Sequence, residues 1–291
     1  MAESHHANSS SASSWTNVKE RILISQQADG MIKRSPFTIV RAVVFALVLR
    51  EMRGRFGARR QGVFWFFFEP IAHVLGVMAL FTIVRGRQVP GLDFPVYLIT
   101  GIVPFLMFKN IMLKGMEAVN ANKALFAYKQ IKPYDTIVAR TIVEFTLMAC
   151  VYMLIMLGLG FWGQYDVLMV NPLHWLGVMA IGVAFSFGVA LILCVVVDAM
   201  PELKIIIRLL FMPLYFVSGV ILPIWLVPGP VLSYLLWNPL LHIIDELRQG
   251  VFAHYHEAQG ISVAYPFTVT VVVLFIGMGL YRARRQHLVA I

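Results

Sequence analysis

The chain has 291 residues, of which 59% are hydrophobic and 13% charged, with a formal charge of +9. An ordinary soluble domain carries about 25% charged residues, so this composition excludes a water-soluble globule. It does not point to a nucleic-acid partner either, because the charges crowd at the ends of long apolar runs, where they set topology and meet anionic headgroups.

Residues 1–30 are polar and Ser-rich with no apolar core, which predicts a disordered tail and not a signal peptide. His5 and His6 are too few for a metal tract. Residues 31–61 contain an apolar stretch, 36–49, interrupted by Arg41. It runs into Arg50, Glu51, Arg53, Arg55, Arg59 and Arg60, the pattern of an amphipathic helix lying in the membrane interface.

A membrane span needs about 20 mainly apolar residues. Residues 62–291 form the transmembrane domain, with six expected spans at 62–84, 94–116, 141–163, 174–197, 205–227 and 263–281. The apolar stretch 231–244 is too short to cross, so 228–250 is expected to be re-entrant or interfacial. The predicted fold is an all-α, multi-pass membrane protein. Ten Lys and Arg precede the first span, five more lie between Lys114 and Arg140, and three arginines close the chain. The other side receives only Arg85, Arg87 and Arg248. The positive-inside rule then puts both termini in the cytoplasm.

No GxxxxGK[ST] loop, HExxH, CxxC or GxSxG motif occurs, so the chain is not expected to be an enzyme, and its energy must come from a partner or an ion gradient. Cys150 and Cys194 each sit inside an apolar run and suggest neither a disulfide nor a metal site. Ionisable groups inside a span are functional candidates by default. Glu69 and His73 share one face of the first span, with Pro70 between them, and Lys109 lies inside the second. Two readings stand for them: headgroup contact and snorkelling, or a polar path or dimer brace. The middles of spans three to six carry no charge, which weakens an ion-driven carrier. His242, Asp245 and Glu246 form the cluster that a membrane-embedded lipid or glycan transferase would need. Aromatics are plentiful in the expected spans, among them Trp65, Phe66, Phe105, Phe108 and Tyr215. Such rings either stack on sugars or anchor the helix at the interface. Arg85, Arg87 and Lys109 would meet an anionic ligand, or are solvated charges.

Three segments carry a family resemblance. LREMRGRFGARRQGVFWFFFEP (49–70), YKQIKPYDTIVAR (128–140) and WNPLLHIIDELRQG (237–250) resemble, in order and position, the permeases of type-2 ABC polysaccharide exporters. The Glu-Pro ending of the first and the overall size look most like the capsular polysaccharide (KpsM-like) branch; O-antigen or teichoic-acid export is the alternative. The resemblance implies a homodimer in a bacterial inner membrane, paired with two copies of a separate ATPase that binds ATP and Mg. The chain itself needs no cofactor. It further implies a channel for a lipid-linked polysaccharide and a periplasmic co-polymerase partner. Arg50, Glu51, Arg53, Arg55, Trp65, Glu69 and His73 would stand where the polymer gains access. Lys129, Lys132, Pro133, Tyr134, Asp135 and Thr136 would contain the coupling helix held by the ATPase, and Pro-Tyr-Asp-Thr suits a helix start. Phe66, Arg85, Arg87, Phe105, Phe108, Lys109 and Tyr215 would contact substrate. Trp237, Asn238, Pro239, His242 and Glu246 would lie in the short periplasmic helices that narrow the exit.

Overall fold

The computed structural model describes residues 35–56, 60–85, 92–128, 130–256 and 258–289, with backbone alone at 60–63, 66, 69 and 81–85. The expected tail and the candidates Arg87 and Lys129 lie outside the described residues, as do the side chains of Phe66, Glu69 and Arg85. Two units are distinguished, 1–42 and 43–291. In the first, residues 35–42 open helix α1 (Pro36–Phe56), and Ser35 Oγ caps it by accepting the Thr38 N–H at 3.3 Å. The polarity of α1 changes along its axis: apolar residues dominate its first two thirds, and Arg50, Glu51, Arg53 and Arg55 follow.

The second unit holds α2 (Arg60–Arg85), α3 (Phe94–Met116), α4 (Pro133–Trp162) and α5 (Pro172–Ala199). It continues with α6 (Leu203–Val217), α7 (Gly229–Leu235), α8 (Pro239–Val251) and α9 (Ala264–Val289). All regular structure among the described residues is helical. In lipid that follows from the backbone, whose polar groups must be satisfied within each segment. Among the described residues, α3, α4, α5 and α9 are long and apolar enough to cross a membrane. Helix α2 has 26 residues and matches the first expected span closely.

Helix α3 is the centre of the unit, with Val96 to Phe105 buried almost without interruption. It packs against α4, α5 and α8, and α9 lies along α5. The α5–α9 crossing is close because it is built on glycine. A Cβ on Gly277 would stand 2.8 Å from the Gly188 carbonyl oxygen. Without a hydrophobic drive between helices in lipid, such small-residue contacts supply the packing.

Two expected spans are corrected. The third begins at Pro133 and not at 141, so the stretch expected to form a separate coupling helix is the first turn of the 30-residue α4. The short element of that loop lies upstream, a 3-10 helix at Asn120–Ala127. The fifth, 205–227, is not one helix. Helix α6 has 15 residues, about 22 Å at 1.5 Å per residue, against a hydrocarbon core of about 30 Å. The chain turns at Gly219 (φ 66°), a left-handed conformation open to glycine, and Pro223 prevents the helix from resuming directly. Two short helices follow, α7 with 7 residues and α8 with 13, where the sequence predicts the re-entrant segment. Lys114, Lys132, Arg140, Lys204 and Arg282 mark one end of the bundle, the basic end; Asp93 and residues 163–171 mark the opposite one.

Candidate functional site

At the basic end the coupling segment is rigidly built. The Lys132 N–H donates to Asp135 Oδ2 at 3.0 Å, and Thr136 Oγ1 donates to the Pro133 carbonyl at 2.7 Å. Asp135 and Thr136 are buried, at 5% and 2% exposure, so they start α4 and offer no face to a partner. The Tyr134 N–H donates to the Tyr281 hydroxyl of α9 at 3.3 Å, and its ring meets Phe187 of α5 edge-on at 5.6 Å. Lys132 and Tyr128 are exposed.

Beside it lies an ionic network that sequence reasoning did not assemble. Glu144, fully buried on α4, is paired with Arg55 of α1 and with Lys114 of α3, the latter at 3.0 Å. Arg55 also meets Glu51 at 3.1 Å, and Arg140 stands 3.4 Å from Glu51. Arg140 Nη1 donates to the Lys114 carbonyl at 2.7 Å, and Arg50 donates to Asn122 Oδ1 at 2.9 Å. Arg53 faces outward. The signal was a lone acid, Glu144, inside an apolar run, which lipid tolerates only when it is partnered. Nearby, Glu117 pairs with Lys204 at 2.9 Å and with Arg208. Partial burial pushes its carboxyl up, but the two cations outweigh that and hold it below the ordinary range.

The structure brings together two candidates 142 residues apart: His73 of α2 and Tyr215 of α6, with Nε2 3.3 Å from the hydroxyl and the rings edge-on. Tyr215 also stands edge-on to Phe105 at 5.2 Å. Trp65 is exposed and packs against Phe68. Lys109 is half-buried on α3. Phe105 and Phe108, expected to contact substrate, are 1% and 0% exposed. Phe108 fills the space over Gly182, so both rings brace the core and present no face to a polymer within this chain.

At the opposite end α8 packs over the break that follows α6. Arg248 was counted with the outer loop charges, but it is fully buried. Its guanidinium donates to the carbonyls of Gly219 and Val220 at 2.8 and 2.6 Å and lies 3.8 Å over the Tyr97 ring. Buried non-helical backbone needs partners for its polar groups, and here one side chain supplies two of them. Tyr255 donates to Asp245 at 2.5 Å. Burial raises the Asp245 carboxyl above the ordinary range, with the Tyr255 hydrogen bond and the Arg248 charge acting against it.

The expected residues of this segment hold it in place. Asn238 caps α8 by accepting the Leu240 N–H at 3.0 Å, and its amide donates to Ser218 Oγ at 2.9 Å. Pro239 is the first residue of α8. His242 Nδ1 accepts the Ser262 N–H at 3.2 Å, so Nε2 carries the proton and donates to the Leu236 carbonyl at 2.9 Å. Glu246 stands 3.1 Å from His174 Nε2. Trp237 is 80% exposed. His242, Asp245 and Glu246 thus point to three different partners and do not converge on one point, as a transferase centre requires.

Comparison with known proteins agrees with this architecture. The profile of the ABC-2 type transporter family matches residues 42–252. The polysialic acid transport protein KpsM of Escherichia coli is 38% identical over 253 residues, 87% of this chain and 97% of its own length. CtrC of Neisseria meningitidis and BexB of Haemophilus influenzae, both capsule polysaccharide export inner-membrane proteins, are 28% and 25% identical. The matches cover 74% and 78% of this chain and 80% and 85% of theirs. With the profile spanning most of its length and one relative matched almost end to end, the chain belongs to the ABC-2 type transporter family, as a transmembrane permease subunit.

Proposed function

We propose that this chain is the inner-membrane subunit of an ATP-driven exporter that moves lipid-linked capsular polysaccharide from cytoplasm to periplasm. The single observation that carries this reading is the 38% identity to KpsM across 97% of that transport protein. Membership of the family brings a separate ABC ATPase, and ATP and Mg belong to that partner. In this proposal two copies of the chain enclose the channel and pair with two ATPases. The basic end faces the cytoplasm, in keeping with its Lys and Arg content. The segment around 128–136 meets the ATPase there, through the exposed Tyr128 and Lys132. Trp65, Glu69, His73 and Tyr215 line the polymer's access, which the contact between α2 and α6 supports. Arg85, Arg87 and Lys109 lie on the route of an acidic polymer. Helices α7 and α8, with Trp237 exposed, face the periplasm and a co-polymerase partner.

The test is deletion of the gene in the native host, with polymer measured at the cell surface and inside the cell. Loss of surface capsule, with lipid-linked polymer accumulating inside and restored by the plasmid-borne gene, is expected. Unchanged surface capsule, or loss of O-antigen in its place, would sink the assignment.

A further inference from the structure

A groove of about 450 Å³ opens at the basic end between the coupling segment and the last turns of α9. Phe126, Ile131, Pro133 and Tyr281 supply an apolar floor, and Lys132 and Arg285 stand at its rim. Among the described residues no carboxylate lines it. Asp135, three residues after Lys132, is buried, and its Oδ2 is taken by the Lys132 N–H. Arg282 and Arg284 are exposed on the same turns of α9 and extend the basic surface.

The two walls are one body. Leu288 is 1% exposed and sits in a cluster with Phe126, Ile137 and Ala190, so the C-terminal turn of α9 is anchored in the bundle. The Tyr134 N–H holds the Tyr281 hydroxyl at 3.3 Å, and the two rings lie 5.9 Å apart. A force on the loop therefore acts on α9. Through the close crossing at Gly188 and Gly277 it also acts on α5.

We propose that the ATPase subunit seats a short acidic segment, centred on an apolar side chain, in this groove, making the last turns of α9 the second half of the coupling surface. The occupant follows from complementarity: the charged residues described at the rim, Lys132 and Arg285, are both basic and select carboxylates, and a largely apolar floor selects a hydrophobic anchor between them. This rests on the reading that the ATPase meets the loop at 128–136, and it adds a contact some 150 residues away in sequence.

The test uses the full-length permease co-expressed with its ATPase. A photo-crosslinking amino acid is placed at Gln286, which also lines the groove, and separately at Tyr128, which is 67% exposed on the loop. Crosslinks to an acidic peptide of the ATPase from both positions are expected. Crosslinking from Tyr128 alone overturns the composite groove and leaves the loop assignment standing. If neither position crosslinks while the complex is intact, the loop assignment and this inference both fall. Capture of lipid or of a second permease copy at Gln286 also overturns it.

Affinity gives an independent reading. Lys132→Glu combined with Arg285→Glu is expected to raise the Kd for the ATPase at least about tenfold, most strongly at low salt. Arg285→Lys should bind almost as the native chain does, and Arg284→Glu, outside the lining, should change binding less than about twofold. An equal loss from Arg284→Glu would mean diffuse attraction and would overturn the proposal.

Discussion

Arg248 owes its burial to the broken helix beneath it. Where α6 stops, the carbonyls of Gly219 and Val220 lose their helical partners, and the guanidinium supplies two donors in one plane. Its charge faces the Tyr97 ring and acts on the raised Asp245 carboxyl. Arg248→Met would strip both carbonyls of their donor and leave Asp245 without its cation. Removing one member of a buried charged set costs about 3–5 kcal/mol, so a clear fall in the unfolding midpoint of the detergent-solubilised protein is expected. Arg248→Lys should fall between, because a single ammonium cannot match the planar fork. A native midpoint for Arg248→Met would show that water, not the guanidinium, satisfies those carbonyls. The residue read as a loop charge from sequence because a hydropathy pattern counts apolar residues. It does not register backbone groups that a break leaves in need of donors.

Helices α5 and α9 approach as closely as they do because Gly188 and Gly277 meet without side chains. At Gly277 even a methyl group would press on the Gly188 carbonyl, whereas at Gly279, two residues on, a Cβ would enter open space. Gly277→Ala is therefore expected to destabilise the protein by about 1–3 kcal/mol through forced separation of the helices. Gly279→Ala should be neutral or stabilising by up to about 1 kcal/mol, from helix propensity alone. Thermal unfolding of the two variants side by side checks this, and equal shifts would refute the packing argument. Helices of this kind were legible from composition. Run length placed α3 and α5 to within about two residues, because lipid demands a long, uniformly apolar helix. The start of α4 at Pro133 was legible too, and the lack of any Gly or Pro between 134 and 157 was the signal, not used in placing the span at 141, that the helix runs on without a break. The end of α6 was hidden for the opposite reason. Residues 205–227 are apolar apart from Arg208 and Ser218, so run length hid the break that Gly219 and Pro223 mark, and the packing of Arg248 and α8 shows that the backbone turns there.

The bundle is fastened differently at its two ends: by aromatic rings and a buried arginine at the opposite end, and by ion pairs at the basic end. The pairs cross helices. Glu144 joins α1 and α3 to α4, Glu51 joins α1 to α4, and Glu117 joins the end of α3 to α6. Residues 43–56 of α1 make few apolar contacts to the bundle: Leu47 is buried, but Phe45 and Leu49 are exposed. The attachment of this stretch to the transmembrane helices is thus mainly electrostatic, through Arg50, Glu51 and Arg55. Glu144 is the member whose loss matters most, being wholly enclosed and shared by two cations. Glu144→Gln keeps the shape but leaves Arg55 and Lys114 without their common anion. Faster amide exchange across 43–56 is expected, together with lower stability, because unpaired charge at a buried site is expensive. The companion is Arg55→Gln, which should loosen the same stretch. If the two side chains act as a pair, the double variant will be more stable than the sum of the single losses implies, with a coupling of about 0.5–3 kcal/mol. Additive losses, or unchanged exchange across 43–56 in Glu144→Gln, would mean that α1 is held by something other than this network.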